Sequence, residues 1–277
     1  MTTSTKLFYV SLFDNDSMPL KMLRDDYTFE MILRNLNLKD RIRVCNIKPE
    51  IDRFCKIINL LLLKFILNNS NCELIYGEYG KPKLLNEPYS FNLSDEFGVV
   101  SLSICDGSEN EVGLDLANPV DIERMVENNN VEKFYRDTFR DIFTSKERKN
   151  LDLETIKLDE EGKKILLSKC WALKESYCKY LGLGISGGNG LVDYEFINIP
   201  PLSPLENIKE ISNGRKGVNY VGSATLQKIE GFLPKNICLT LPKISNTILC
   251  SLFSTDLTVD VFQIDCVEFL KSFSKSK

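Results

Sequence analysis

The sequence predicts a mixed α+β fold, in which strands and helices alternate irregularly and not in a steady βαβ rhythm. Three observations carry that prediction. Short runs of β-branched and apolar residues are bounded by turn residues, as sheet strands are. Two longer stretches, one beginning near Pro49 and one running from Lys163 to Leu181, have the character of helices. A chain of 277 residues with a hydrophobic fraction of 43% can bury a large core, as one sizeable domain or two modest halves.

In chain order, Leu7–Phe13 reads as a first strand and Asp26–Leu36 as a short helix. Pro49 suits the first turn of a long helix. Its apolar run Ile57–Leu67, broken by Asn59 and Lys64, is too short to span a bilayer and reads as buried. Arg41, Arg43, Lys48 and Arg53 form a basic cluster on or beside that helix, either a solvated face or an anion site. Leu74–Tyr79 is a strand, followed by the turn Gly80–Lys81–Pro82. Tyr89–Leu93 and Gly98–Cys105 are further strands, and the turn Asp106–Gly107–Ser108 leads into Val112–Leu116. There Val112, Leu114 and Leu116 point one way, while Gly113, Asp115 and Ala117 point the other. A carboxylate in mid-strand among apolar residues is a strand-end cap or a ligand.

Asp121–Asn150 is mostly helical and polar, with Phe134, Phe139, Ile142 and Phe143 as its buried side chains. Thr144–Glu147 has the form of a capping segment, which gives Glu147 a purely structural reading. In the next helix Leu166, Cys170, Leu173, Tyr177 and Tyr180 or Leu181 make the buried stripe. Trp171, Glu175 and Lys179 fall one turn apart on another face, and Gly182 and Gly184 end the helix. Taken alone, this is a packed amphipathic helix with an ordinary solvated Glu–Lys pair. Ile197–Gly217 reads as a loop. Strands are expected at Tyr220–Ile229, Asn236–Leu241, Thr247–Phe253 and Leu257–Ile264, before a closing helix at Cys266–Phe273.

Composition narrows the function classes. A net charge of −4 argues against nucleic acid as the partner, because phosphate backbones demand clustered cations. The nine cysteines are odd in number and hold no Cys-x-x-Cys pair, as expected of reduced thiols in a cytoplasmic protein without a structural zinc site. Met1–Asp14 has no basic start followed by an apolar core, so neither a signal peptide nor a membrane association is expected. The chain has no histidine. Triads with a histidine base, histidine-ligated metals and imidazole shuttles are therefore excluded, and acid–base or metal chemistry must run on carboxylates, Lys, Tyr or Cys.

Four motifs in order, Gly80-Lys-Pro82, Phe91-Asn-Leu-Ser94, Val112-Gly-Leu-Asp115 and Trp171-Ala-Leu-Lys-Glu-Ser-Tyr-Cys-Lys179, resemble the 4′-phosphopantetheinyl transferases of the monomeric, surfactin-synthetase-activating type. The resemblance covers about Gly80–Gly184. Trp-Ala-Leu-Lys-Glu-Ser and Gly-Leu-Asp-Leu-Ala are most similar to the eukaryotic branch that activates aminoadipate reductase. The resemblance implies a pseudo-dimer of two similar α+β halves, near 1–113 and 114–277, with coenzyme A in the cleft between them. It implies transfer of 4′-phosphopantetheine from coenzyme A to a serine of an apo carrier domain, with release of 3′,5′-ADP. The expected carrier is that of aminoadipate reductase in lysine biosynthesis; a fatty-acid or polyketide synthase carrier is the alternative within the same chemistry. A non-catalytic coenzyme A-binding scaffold is the alternative outside it.

By the same resemblance, Asp115 and Glu175 hold magnesium, and Lys179 meets the phosphates as a point charge. Glu147 takes the place of the base for the carrier serine. Arg41, Arg43 and Arg53 serve the 3′-phosphate and adenine end, Lys81 contacts the nucleotide, and Ser94 lies at the phosphates. Two departures stand out. Ala117 replaces a second acid found in many relatives, and Asp95 replaces the usual histidine.

Overall fold

The computed structural model describes residues 5–69, 72–107, 111–121, 131–184, 191–197, 199, 201–208, 211–212, 215–232, 234–241 and 248–275. The described strands are β1 (Thr5–Ser11), β2 (Leu74–Tyr76), β3 (Pro82–Leu84), β4 (Tyr89–Glu96), β5 (Val99–Asp106), β6 (Val112–Ala117), β7 (Ile211–Ser212), β8 (Val218–Thr225), β9 (Gln227–Lys228), β10 (Lys235–Thr240), β11 (Leu249–Ser254) and β12 (Thr258–Ile264). The described helices are α1 (Asp14–Arg24), α2 (Asp26–Leu33), α3 (Leu38–Cys45), α4 (Glu50–Leu67), α5 (Val131–Asp137), α6 (Ser145–Thr155), α7 (Glu160–Leu181) and α8 (Cys266–Ser274).

The α+β class holds. A larger sheet has the order β4-β5-β1-β12-β8-β7, a smaller one the order β6-β11-β10-β9, and β2 pairs β3 as a separate hairpin. Each sheet carries one long helix, α4 against β4 and β5 and α7 against β6 and β11, which gives the fold two similar halves. Strand β1 pairs antiparallel with β5 and parallel with β12, and α8 returns to pack on α1 and α2. The expected boundary between residues 113 and 114 lies inside β6, and the larger sheet draws strands from both sides of it.

Helix α4 buries Phe54, Ile57, Ile58, Leu61, Leu62 and Phe65, the stripe that a 3.6-residue period aligns. Asn68 closes it in the left-handed region at φ 51°, a conformation asparagine tolerates. The long helix expected from near Pro49 is α4, while Arg41 and Arg43 of the basic cluster lie on the separate helix α3. Residue 48 precedes a proline, which disfavours helix there. Helix α1 was hidden in the sequence by Pro19 and by Asn15–Ser17, which lie in the left-handed region before the right-handed turns begin.

Helix α7 starts three residues earlier than expected, where Asp159 caps it by accepting from the Gly162 N–H at 2.8 Å. It ends at Gly182, whose φ is 73°. The helix is buried on more than one stripe, because the smaller sheet covers one side and α5–α6 another. Trp171 stacks on Phe139 with ring centroids 5.3 Å apart, so it belongs to that packing and does not share an open face with Glu175 and Lys179. The predicted loop after α7 is pinned by β7 and by a bridge between Glu206 and Ser223. All nine cysteines are unpaired, and no described helix is long and apolar enough to cross a membrane.

Candidate active site

Strand β4 lies at one edge of the larger sheet and β6 at one edge of the smaller, and side chains stitch these edges together. Asn92 Oδ1 accepts from the Leu114 N–H at 2.8 Å, and Ser94 Oγ accepts from the Leu116 N–H at 3.1 Å. The two-residue step of β4 thus matches that of β6, and Asp115 lies between the two anchored positions. From the other side, α7 lies directly on β6. A Cβ at Gly113 would stand 2.1 Å from the Ser176 carbonyl oxygen and 2.3 Å from the Tyr180 nitrogen. Only glycine permits that approach, so Gly113 and the α7 residues form one packing unit.

This contact delivers Glu175 and Lys179 to Asp115. The Lys179 ammonium donates to Asp115 Oδ1 at 2.6 Å and to Ser94 Oγ at 3.3 Å, while the Ser94 hydroxyl donates to the same Asp115 oxygen at 3.1 Å. Asp115 is 5% exposed and Glu175 7%. Asp115 Oδ2 and Glu175 Oε1 are buried with no hydrogen-bond partner. Burial first, and then the negative charge of Asp115, push the Glu175 carboxyl up to about 7, with Lys179 opposing. Burial raises Asp115 as well, against the pull of Lys179 and Ser94.

Two neighbouring carboxyls, each with a bare buried oxygen, are a poor arrangement for anions alone and fit a divalent cation. Among the described residues no group of three or more His, Cys, Asp or Glu could hold a metal, so the protein offers two carboxylates. That number suits magnesium, which completes its shell with water and ligand oxygens.

On the other face of β4, where Phe91, Leu93 and Asp95 alternate with Asn92 and Ser94, lies a cleft of about 760 Å³ between α3, α4, the β2–β3 hairpin and β4, lined among others by Arg43, Lys56, Lys64, Tyr76 and Asp95. Residues 119–224, which include α7, match the sequence profile of the 4′-phosphopantetheinyl transferase superfamily. The chain is thus similar to that superfamily over this stretch. It is 28% identical over 186 residues to the L-aminoadipate-semialdehyde dehydrogenase-phosphopantetheinyl transferase of Candida glabrata, covering 65% of this chain and 68% of the relative. To the protein of the same description from Saccharomyces cerevisiae it is 27% identical over 191 residues, covering 65% of each.

The residues expected to serve a phosphopantetheinyl transferase site fall into two groups. Asp115, Glu175, Lys179 and Ser94 come together, and Arg43 lines the cleft on the other face of β4. The others are engaged elsewhere. Glu147 is 4% exposed and closes the capping box with Thr144. Its Oε1 accepts from the Phe196 N–H at 2.8 Å; its Oε2 accepts from the Thr144 N–H at 2.7 Å and faces the Lys174 ammonium at 2.8 Å. Lys174 in turn donates to the Leu191 and Tyr194 carbonyls. Glu147 therefore sits in the packing of α6 on α7 and the 191–196 segment, with both oxygens occupied.

Arg41 donates to the Leu36 and Arg34 carbonyls at 2.8 and 2.9 Å, which ties the end of α2. Arg53 lies over the Phe29 and Phe54 rings at 5.8 and 5.5 Å. Lys81 spends its ammonium on Glu111 and on the Val112 and Tyr180 carbonyls, locking its turn to β6 and to the end of α7. The Asp95 carboxylate accepts from the Asn59 amide. Ala117 is buried opposite Leu249.

One acid escaped the sequence reading. Glu96 is pushed up to about 8, first by burial, then by a hydrogen bond with Asp121 and by the charges of Asp121, Asp115 and Asp95. Its signal was present in the alternation Ser94-x-Glu96, which repeats along β4 the step that Gly113-x-Asp115 makes along β6.

Proposed function

We propose that this chain transfers 4′-phosphopantetheine from coenzyme A to a serine of an apo carrier domain. The serine oxygen forms a bond to the β-phosphorus and gives up its proton to solvent, the bond from that phosphorus to the bridging oxygen breaks, and 3′,5′-ADP leaves. The observation that carries this reading is the pair of buried, electrostatically coupled carboxyls of Asp115 and Glu175, each with one oxygen lacking a hydrogen-bond partner, together with the Lys179 ammonium and the Ser94 hydroxyl bonded to Asp115. Asp115 and Glu175 would hold magnesium, which when bound neutralises charge on the diphosphate. Lys179 brings a further cation and Ser94 a hydroxyl to the same place, and Arg43 faces the nucleotide cleft. Glu147 acts as a positioning residue, since its pairing with Lys174 fixes the turn of α7 that carries Glu175.

The sequence halves 1–113 and 114–277 each bring one side of the site: Arg43 and Ser94 from the first, Asp115, Glu175 and Lys179 from the second. The names of the two fungal relatives support the carrier domain of aminoadipate reductase in lysine biosynthesis as acceptor. Nine unpaired cysteines support a reducing, cytoplasmic setting. We take the working form to be a monomer.

The deciding experiment incubates the protein with coenzyme A, magnesium and a panel of apo carrier domains that includes the one from aminoadipate reductase. The carrier should gain the mass of phosphopantetheine on its serine. No adduct on any carrier, with coenzyme A still bound, would leave a binding protein and not a transferase.

A further inference from the structure

Helix α4 turns one face, Lys56, Asn59, Leu60, Leu63 and Lys64, into the 760 Å³ cleft, at the spacing of a helical stripe. Across it Arg43 projects from α3, and the hairpin contributes Ile75 and Tyr76, which are 47% and 67% exposed. The cleft is thus lined by the cations Arg43, Lys56 and Lys64, by the carboxylates Asp40, Glu73 and Asp95, and by apolar side chains.

Lys56 is the unexplained member of this wall. Its ammonium makes no hydrogen bond or ion pair among the described residues. The two carboxylates near enough to favour its charge are already engaged, Asp95 by the Asn59 amide and Asp40 by the Asn37 amide at 2.8 Å. Partial burial and the neighbouring Arg43 guanidinium both hold Lys56 below the usual lysine range. Two cations facing one partly apolar space without a bonded anion are costly when the cleft is empty. An anion placed between them is correspondingly favoured.

We infer that Lys56 is a specificity-determining residue that, beside Arg43, receives a phosphate group of the nucleotide substrate. The inference rests on the transferase reading and adds to it a residue outside the four sequence motifs. The phosphate is either the 3′-phosphate on the ribose or the diphosphate, and comparing coenzyme A with dephospho-coenzyme A separates the two.

The test is calorimetric titration of the full chain with each nucleotide in magnesium, for the native protein, K56M, K56Q and K56R, with thermal melts to confirm folding. K56M and K56Q should weaken coenzyme A binding at least about tenfold, the loss expected for one charge-assisted hydrogen bond, and K56R should retain most of the affinity. A loss confined to coenzyme A puts Lys56 on the ribose phosphate. An equal loss for dephospho-coenzyme A puts it on the diphosphate, and either result supports the assignment. Native affinity in a folded K56M or K56Q would overturn it while leaving the transferase reading intact. A native protein that binds neither nucleotide would overturn both.

Discussion

Replacing Glu175 with glutamine should separate stability from activity in opposite directions. The native carboxyl sits at about 7, against an ordinary 4.5, because it is buried beside Asp115. The folded protein thus holds this proton more tightly than the unfolded chain does. The resulting stability is complete below about pH 4.5 and is lost as the pH rises to about 7. At pH 8 the ionised side chain costs up to about 3 kcal/mol, from 1.36 kcal/mol per tenfold in acidity. Local relaxation and the hydrogen-bonding needs of the new amide reduce the expected gain for E175Q to about 1–2 kcal/mol. In differential scanning calorimetry at pH 8 without divalent cations, E175Q should therefore melt a few degrees higher than the native protein, roughly as that energy predicts for a chain of this size. The gain should vanish at pH 5. Magnesium with coenzyme A should raise the native melting temperature and leave that of E175Q unchanged, and phosphopantetheine transfer should fall about a hundredfold or more. A variant that melts below the native protein at pH 8, or that transfers at the native rate, would refute the reasoning.

G113A should destabilise the fold by about 3 kcal/mol or more, because its Cβ would meet backbone atoms of α7 that cannot swing aside; urea denaturation measures this, with transfer falling in parallel. E147Q and K174M each break a buried ion pair and should cost about 3–5 kcal/mol. If Glu147 only positions α7, the surviving folded E147Q should keep kcat/KM within about tenfold and an unchanged pH profile, whereas a base would lose about a hundredfold or more and the acidic limb of that profile. S94A removes the acceptor of the Leu116 N–H and a partner of Asp115 and Lys179, for an expected loss of about 1–3 kcal/mol by urea denaturation.

Much of this architecture was legible because periodicity reports burial. The buried apolar run of α4, the alternation in β6 and the glycine end of α7 were all read from local pattern. The pairing of Asp115 with Glu175 was reached from the resemblance. Its physical reason, an α7 that rests on Gly113, lies in a close approach across about sixty residues that local pattern does not encode. The same gap explains Arg41, Arg53 and Lys81. A cation in sequence looks ready for phosphate, yet in the fold each of these meets a carbonyl, a ring or a carboxylate brought from elsewhere. Glu147 is instructive in the opposite sense, since its capping box was readable from Thr144 onward. Lys174 was not assigned a role, because a lysine that is 1% exposed in its side chain contradicts the ordinary habit of that residue.

The parallel pairing of β1 with β12 means that β1 waits for a strand synthesised about 250 residues after it. Until residues 258–264 have been synthesised, β1 has one bare edge, and β4 and β5 belong to an unfinished platform. Such long-range closure slows folding and leaves an open strand available to neighbours. A chain shortened just before β12 would lose the strand that joins β1 to β8, although every residue of the proposed chemistry would still be present.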